Sequence, residues 1–261
     1  MLFALKLRLP INFVVKRTIF KQFCGGETIS ECAPTIKALG SQGIGTILDY
    51  SVEGKTQEDD FDKTTAIIID TIKKAKQEKN IPFAVFKITG ISQFSLLEKA
   101  SDKEIELSEK ELAELAKVEE RILNICKTAY KLNVPVFIDA EESWIQDIID
   151  TWAFEMMCLF NKERTIVYNT IQMYRHDRLK FLKSCAQKAV DKKVSYGVKL
   201  VRGAYMERER ERALDMNYPS PIQIDKQATD DDYNQAQSFI LDNIHHFSLV
   251  AGTHNEESSM Q

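Results

Sequence analysis

In YGVKLVRGAY (residues 196–205) an apolar run broken once by a lysine reaches a charged residue, Arg202, and then a glycine, Gly203. Short apolar, β-branched runs bounded by such breaks read as strands covered on both faces. The same form recurs at residues 43–50, 82–87, 134–139, 165–172 and 247–253. Between these runs lie helical patterns with apolar residues three and four apart, such as Phe61, Ala66, Ile69, Ile72 and Ala75, or Leu112, Leu115, Val118, Ile122, Ile125 and Ala129. Alternation of this kind predicts βαβ units on a parallel sheet, with connections long enough for right-handed crossovers.

Two architectures fit that alternation: an open doubly wound sheet and a (β/α)8 barrel of the TIM type. A dinucleotide-binding doubly wound sheet would carry Gly-x-Gly-x-x-Gly after its first strand, and that motif is absent here. Each expected strand instead finishes in a polar or charged group: Asp49, Lys87, Asp139, Gln172, Arg202, and the pair Thr253 and His254. Functional groups at the carboxyl ends of successive strands are how a barrel builds its active face, which favours the α/β barrel. Eight strands close such a barrel, whereas about six βα units are legible before Gln261, the last leading into a helical turn capped by Asn255. The expected organisation is a helical segment at 1–35 followed by a (β/α) barrel at 36–261 without its last two units.

Composition narrows the function classes. The chain has 261 residues, 44% of them hydrophobic, with a net charge of −4 and no long block of one sign, so there is no electrostatic footprint for nucleic acid. No apolar run reaches the roughly 18 residues needed to span a bilayer. Five scattered cysteines without a Cys-x-x-Cys pair indicate neither a disulfide framework nor a zinc site, and suit a reducing compartment. The first 26 residues carry Lys6, Arg8, Lys16, Arg17 and Lys21 with no acid, as a mitochondrial transit peptide would. Pro10 and the scarcity of serine favour a basic helix of the fold instead.

Several strand ends could carry chemistry. Asp139, Glu141 and Glu142 bring three carboxylates to one of them, with Asp139 the foremost candidate and at least one of the three expected to be a solvated surface charge. The four histidines form no metal-binding pattern, so no metal is expected. Lys87 and Lys199 interrupt apolar strands, which suits either a Schiff-base nucleophile in an aldolase-like lyase or a cation beside a flavin. Gly203 would let backbone approach a ligand closely, and Tyr205 offers a ring face and a hydroxyl. The run from Glu207 to Arg212 pairs opposite charges at i,i+3 and reads as a solvated helix face. Thr253, His254 and Asn255 either donate to phosphate or ribose, or cap the last helix.

In order, Phe23-Cys24-Gly25-Gly26, DYSVEG (49–54), FKITG (86–90), IDAEESW (138–144), NTIQMY (169–174), KLVRGAYMERERERA (199–213) and GTHNEES (252–258) make the chain resemble the proline dehydrogenases of the bacterial monofunctional type. The resemblance implies a distorted (β/α)8 barrel holding FAD non-covalently, oxidation of L-proline to Δ1-pyrroline-5-carboxylate, and a membrane quinone as electron acceptor. It implies a cytoplasmic enzyme peripheral to the inner membrane and sets no oligomeric state. By motif match Lys87, Asp139 and Tyr205 would line the proline pocket with Asp49 nearby. Gln172 would hydrogen-bond the flavin ring, and Lys199 would stand near it where some members have arginine. Gly203, Lys226, Thr253, His254 and Asn255 would meet the rest of FAD.

Family members continue into two more strands and a final helix whose paired arginines grip the proline carboxylate. The resemblance therefore implies a C-terminally truncated member that keeps most FAD contacts but lacks the carboxylate clamp, its activity in question. Two rivals stand beside this reading: the Schiff-base lyase using Lys87 or Lys199, and a non-catalytic barrel fragment that meets a partner through an open sheet edge.

Overall fold

The computed structural model describes residues 24–50 and 56–261. The basic stretch that imitates a transit peptide, and Ser51 to Gly54 of DYSVEG, lie outside the described residues. Six strands, β1 (Ile47–Leu48), β2 (Phe83–Phe86), β3 (Val136–Ile138), β4 (Val167–Gln172), β5 (Tyr196–Val201) and β6 (Phe247–Gly252), form one sheet in the order of the chain. Every pair is parallel. A doubly wound sheet would reverse its strand order at a switch point. This one never reverses and curls as part of a barrel.

Helices α1 (Ile29–Gly40), α2 (Glu58–Gln77), α3 (Phe94–Ser101), α4 (Glu109–Leu132), α5 (Ser143–Phe160), α6 (Arg178–Lys192), α7 (Met206–Asp215), α8 (Lys226–Asp242) and α9 (Glu256–Met260) complete the described chain. Helix α1 runs through the 35/36 boundary drawn from sequence. In α2, Glu58, Asp59 and Asp60 face the positive end of the helix dipole and Lys74 and Lys76 the negative end. The stripe Phe61, Ile68, Ile72 and Ala75 is buried. Ser108 and Glu111 form a capping box that starts α4. Lys99, 2.5 Å away, and Ser108 hold the Glu111 carboxyl down to about 2. Asn133, left-handed at φ 53°, ends the same helix.

The first strand is much shorter than the apolar run at 43–50 suggests, because the front of that run completes α1. Gly43 turns at φ +74° and the Ile44 N–H donates to the Leu39 carbonyl, leaving only Ile47 and Leu48 to pair with β2. Alternation along the strands divides the sheet into two faces. Phe86, Val136, Ile138, Val167, Ile171, Val198 and Leu200 pack outward in the main core under the helices. Burying such a side chain contributes about 1.5–3 kcal/mol. The opposite, concave face carries a small cluster of Val85, Phe137 and Tyr168 with Phe83 and Val250 against it, the Phe83 and Phe137 rings stacked at 4.6 Å.

Candidate functional site

The concave face positions the chemistry by the same two-residue period. Continuing the inward rows, Val85 leads to Lys87, Phe137 to Asp139, Tyr168 to Thr170 and Gln172, and Lys199 to Val201. Lys87, Asp139, Thr170, Gln172, Lys199 and Val201 reach a cavity of about 690 Å³ at the carboxyl ends of the strands. It is also lined by Asp49, Arg202, Gly203, Tyr205, Lys226, Thr253, His254 and Asn255. Every site residue expected from sequence therefore borders one space.

Within it, the Lys199 ammonium sits 2.5 Å from Asp139 Oδ1, which also accepts from the Thr170 hydroxyl at 3.0 Å. Lys199 Nζ lies 5.2 Å from the centre of the Phe137 ring, so the cation has an aromatic face beside it as well as a carboxylate. Lys87 lies across the cavity with its Nζ 5.9 Å from the Tyr205 ring centre. Burial pushes the Tyr205 phenol up, against the lowering pull of Lys87.

Behind this layer, Glu141 is 2% exposed. Its Oε1 accepts from the Thr89 N–H at 3.0 Å and its Oε2 from the Thr89 hydroxyl. Burial pushes the Glu141 carboxyl up to about 7, although the Thr89 bonds and the Lys87 charge favour the anion. The Glu141 carbonyl accepts from Gln172 Nε2 at 2.7 Å, which turns the Gln172 oxygen toward the Ala204 N–H at 3.4 Å.

The far wall is basic and tied down. Arg202 faces α8, bonding Asp230 at 2.5 Å, Thr253 Oγ1 at 2.8 Å and Ser258 Oγ at 3.0 Å, with its guanidinium 4.4 Å from the Tyr233 ring centre. Lys226 pairs with the same Asp230. Arg202 to Tyr205 and Lys226 also border a second concavity of about 810 Å³, whose other walls include Tyr174, Met206, Ile222 and Ile224. Two adjoining spaces thus meet at two cations.

Two sequence readings change. Neither Glu141 nor Glu142 is a solvated surface charge: both are 2% exposed, and Asp139 is engaged by Lys199. The Glu207 to Arg212 run is no solvated face either. Glu209 is fully buried and its two oxygens accept from the Ser143 N–H and hydroxyl, each at 2.6 Å, while Arg208 pairs with Glu142 and Arg212 with Glu98. Gly203, which borders the cavity, is required by packing as well: at φ +139°, a Cβ there would come within 2.5 Å of the Tyr174 ring. Of the two roles open to Asn255, its side-chain oxygen takes the cap, accepting from the Ser258 N–H at 3.1 Å.

Thr89 and Thr170 were not singled out in the sequence. Only Thr170 left a trace, being two residues before Gln172 on the same strand face. Among the described residues no three His, Cys, Asp or Glu side chains converge as metal ligands, and no helix is long and apolar enough to cross a membrane.

The family model described as proline dehydrogenase matches residues 32–261. The mitochondrial proline dehydrogenase 1 of Dictyostelium discoideum is 32% identical over an alignment of 296 residues, taking in 97% of this chain and 52% of the relative. The carbapenem antibiotics biosynthesis protein CarD of Pectobacterium carotovorum subsp. carotovorum is 33% identical over 236 residues, covering 90% of this chain and 61% of CarD. The chain thus spans between half and about three fifths of the length of these relatives. Among solved structures, proline utilization A from Bdellovibrio bacteriovorus, inactivated by N-propargylglycine, aligns with a TM-score of 0.82 over 95% of this chain and 27% of that one. At 18% identity that likeness is one of fold.

Proposed function

The chain belongs to the proline dehydrogenase family, and from that premise we propose that its cavity serves the FAD-dependent oxidation of L-proline to Δ1-pyrroline-5-carboxylate in proline catabolism. The observation that carries the reading is the gathering of Lys87, Asp139, Gln172, Lys199 and Tyr205 around one space at the strand ends. The donor set suits a long, dianionic cofactor with a flat polar ring. Amide and ammonium groups line one space, two cations stand at the junction, and the second space has the partly apolar walls an adenosine needs.

FAD, when bound, supplies the acceptor for the hydride that leaves C5 of proline. Gln172 would hold the ring through the amide N–H that Glu141 leaves free, and Lys199 would keep a positive charge beside it. Arg202 and Lys226 would oppose the diphosphate charge, with Gly203, Thr253, His254 and the amide nitrogen of Asn255 along the remainder. Lys87, Asp139, Tyr205 and Asp49 would orient proline, whose amine loses its proton before or with the hydride. Lys87 acts here as a fixed charge and not as a general base. A quinone as electron acceptor and a cytoplasmic, membrane-peripheral location are further parts of this proposal, drawn from the family.

The Schiff-base alternative is not favoured: Lys199 is held by Asp139, and the family is one of proline oxidation. The test is the absorbance spectrum of the purified chain loaded with FAD, before and after anaerobic addition of proline. Bound flavin that bleaches is the expected result. A chain that takes up no FAD would overturn the proposal, and bound flavin that stays oxidised would refute its substrate half, leaving a cofactor-binding domain.

A further inference from the structure

We propose that Glu141 is a positioning residue of this site, fastening through its side chain the turn that carries Lys87 and through its main-chain carbonyl the amide of Gln172. For what Lys87 and Gln172 act on we rest on the proline oxidation proposed above; the strap between them stands on contacts alone.

Lys87 opens the single 3-10 turn Ile88–Gly90, a piece of backbone too short to hold its own direction. Thr89, in the middle of that turn, gives both its N–H and its hydroxyl to the two oxygens of Glu141, so the turn is gripped by a group 52 residues away at the end of β3. Glu141 is itself anchored, because its N–H donates to Gln146 Oε1 on α5 at 2.8 Å. Its carbonyl takes one N–H of Gln172 at 2.7 Å, which decides which way that amide faces. One buried residue thereby couples the ends of β2, β3 and β4. At 2% exposure it is not among the residues lining the 690 Å³ cavity, so it acts through its neighbours.

The strap also responds to protons. Burial moves the Glu141 carboxyl up to about 7. The charged and titratable groups around it are Lys87 at the end of β2, Glu142 beside it in the chain, and Tyr205 and Arg208 from α7, with Arg208 already paired to Glu142. Above the transition Glu141 is an anion that accepts both Thr89 bonds and balances the Lys87 cation. Below it one oxygen carries a proton, and the grip on the turn and the charge beside Lys87 both weaken.

The decisive measurement is a pH titration followed by carboxyl 13C NMR on protein labelled at glutamate, which requires neither cofactor nor substrate. One resonance should titrate near pH 7 and vanish in Glu141→Gln. It should move to higher pH in Thr89→Val, which removes the hydroxyl but keeps the N–H, and return in Thr89→Ser. On FAD-loaded protein, kcat/KM for proline should lose its limb near pH 7 in Glu141→Gln and fall by roughly 10-fold or more. A Thr89→Val spectrum identical to the parent, or kcat/KM and its pH profile unchanged in Glu141→Gln, would each overturn the assignment, and a Glu141 carboxyl titrating below pH 5 would overturn its proton response. FAD-loaded protein that ignores proline while the NMR shifts follow expectation would refute the proposed reaction and leave the strap standing.

Discussion

Burying a carboxyl as Glu141 is buried alters stability as well as the site. Its folded value lies near 7 against 4.5 for the ordinary side chain, so between those limits the native state holds a proton that the unfolded chain has released. Stability must then fall as pH rises from about 4.5 to 7, by roughly 3 kcal/mol for this group alone, because each unit of displacement is worth about 1.4 kcal/mol. Glu141→Gln should abolish that contribution. Urea unfolding at pH 5 and at pH 7.5 checks it: the parent should lose roughly 2 kcal/mol more than the variant between the two. Equal losses in both would mean that the carboxyl titrates normally.

Among the elements, α7 has the most contacts that composition concealed. Its sequence is almost entirely charged, which on a free helix would give weak i,i+3 pairs, yet Arg208, Glu209 and Arg212 all reach to other elements. Glu209 caps the start of α5 by accepting the Ser143 N–H and hydroxyl, and Arg212 lies 4.5 Å from the Trp144 ring centre. Since Tyr205 opens α7, this attachment holds one wall of the cavity. Glu209→Ala leaves both Ser143 donors without their acceptor and should cost about 1–3 kcal/mol. Hydrogen exchange should accelerate first at residues 205–215, whereas uniform acceleration through the sheet would contradict a local clasp. A second buried pair, Arg178 on α6 with Asp150 on α5 at 2.7 Å, ties those helices to Asn169 of β4.

At the scale of the molecule, the sheet is graded. Strands β5 and β6 pair over six residues and β4 with β5 over five, while β1 meets β2 over only two. Opening energy follows the number of buried contacts and ladder bonds, so amide exchange should be slowest in β4 and β5 and fastest in β1. Protection of Ile47 and Leu48 equal to that of Ile171 and Leu200 would contradict this gradient. Asp49, just beyond the two-residue strand, therefore rests on the least secured wall of the cavity.

The sequence by itself determined the alternation of strands and helices, because burial on both faces leaves apolar runs with polar ends that need no partner to be read. It also determined which groups face the cavity, since Lys87 and Asp139 just beyond β2 and β3, Gln172 at the end of β4 and Lys199 within β5 continue the inward rows by the two-residue period. Three things required the tertiary structure. Strand order, which distinguishes a barrel from a doubly wound sheet, is a relation between segments tens of residues apart and leaves no local mark. Gly43 and Ile44 ended a helix where the apolar run suggested a strand, because α1 had carbonyls to satisfy. Burial of the acids Glu141, Glu142 and Glu209 was not legible, one or more of the first two and the run holding the third having read as solvated, because their partners, Thr89, Arg208 and Ser143, are brought to them from between 52 and 66 residues away. Burial of a charge depends on what the fold carries to it, and only the folded chain decides that.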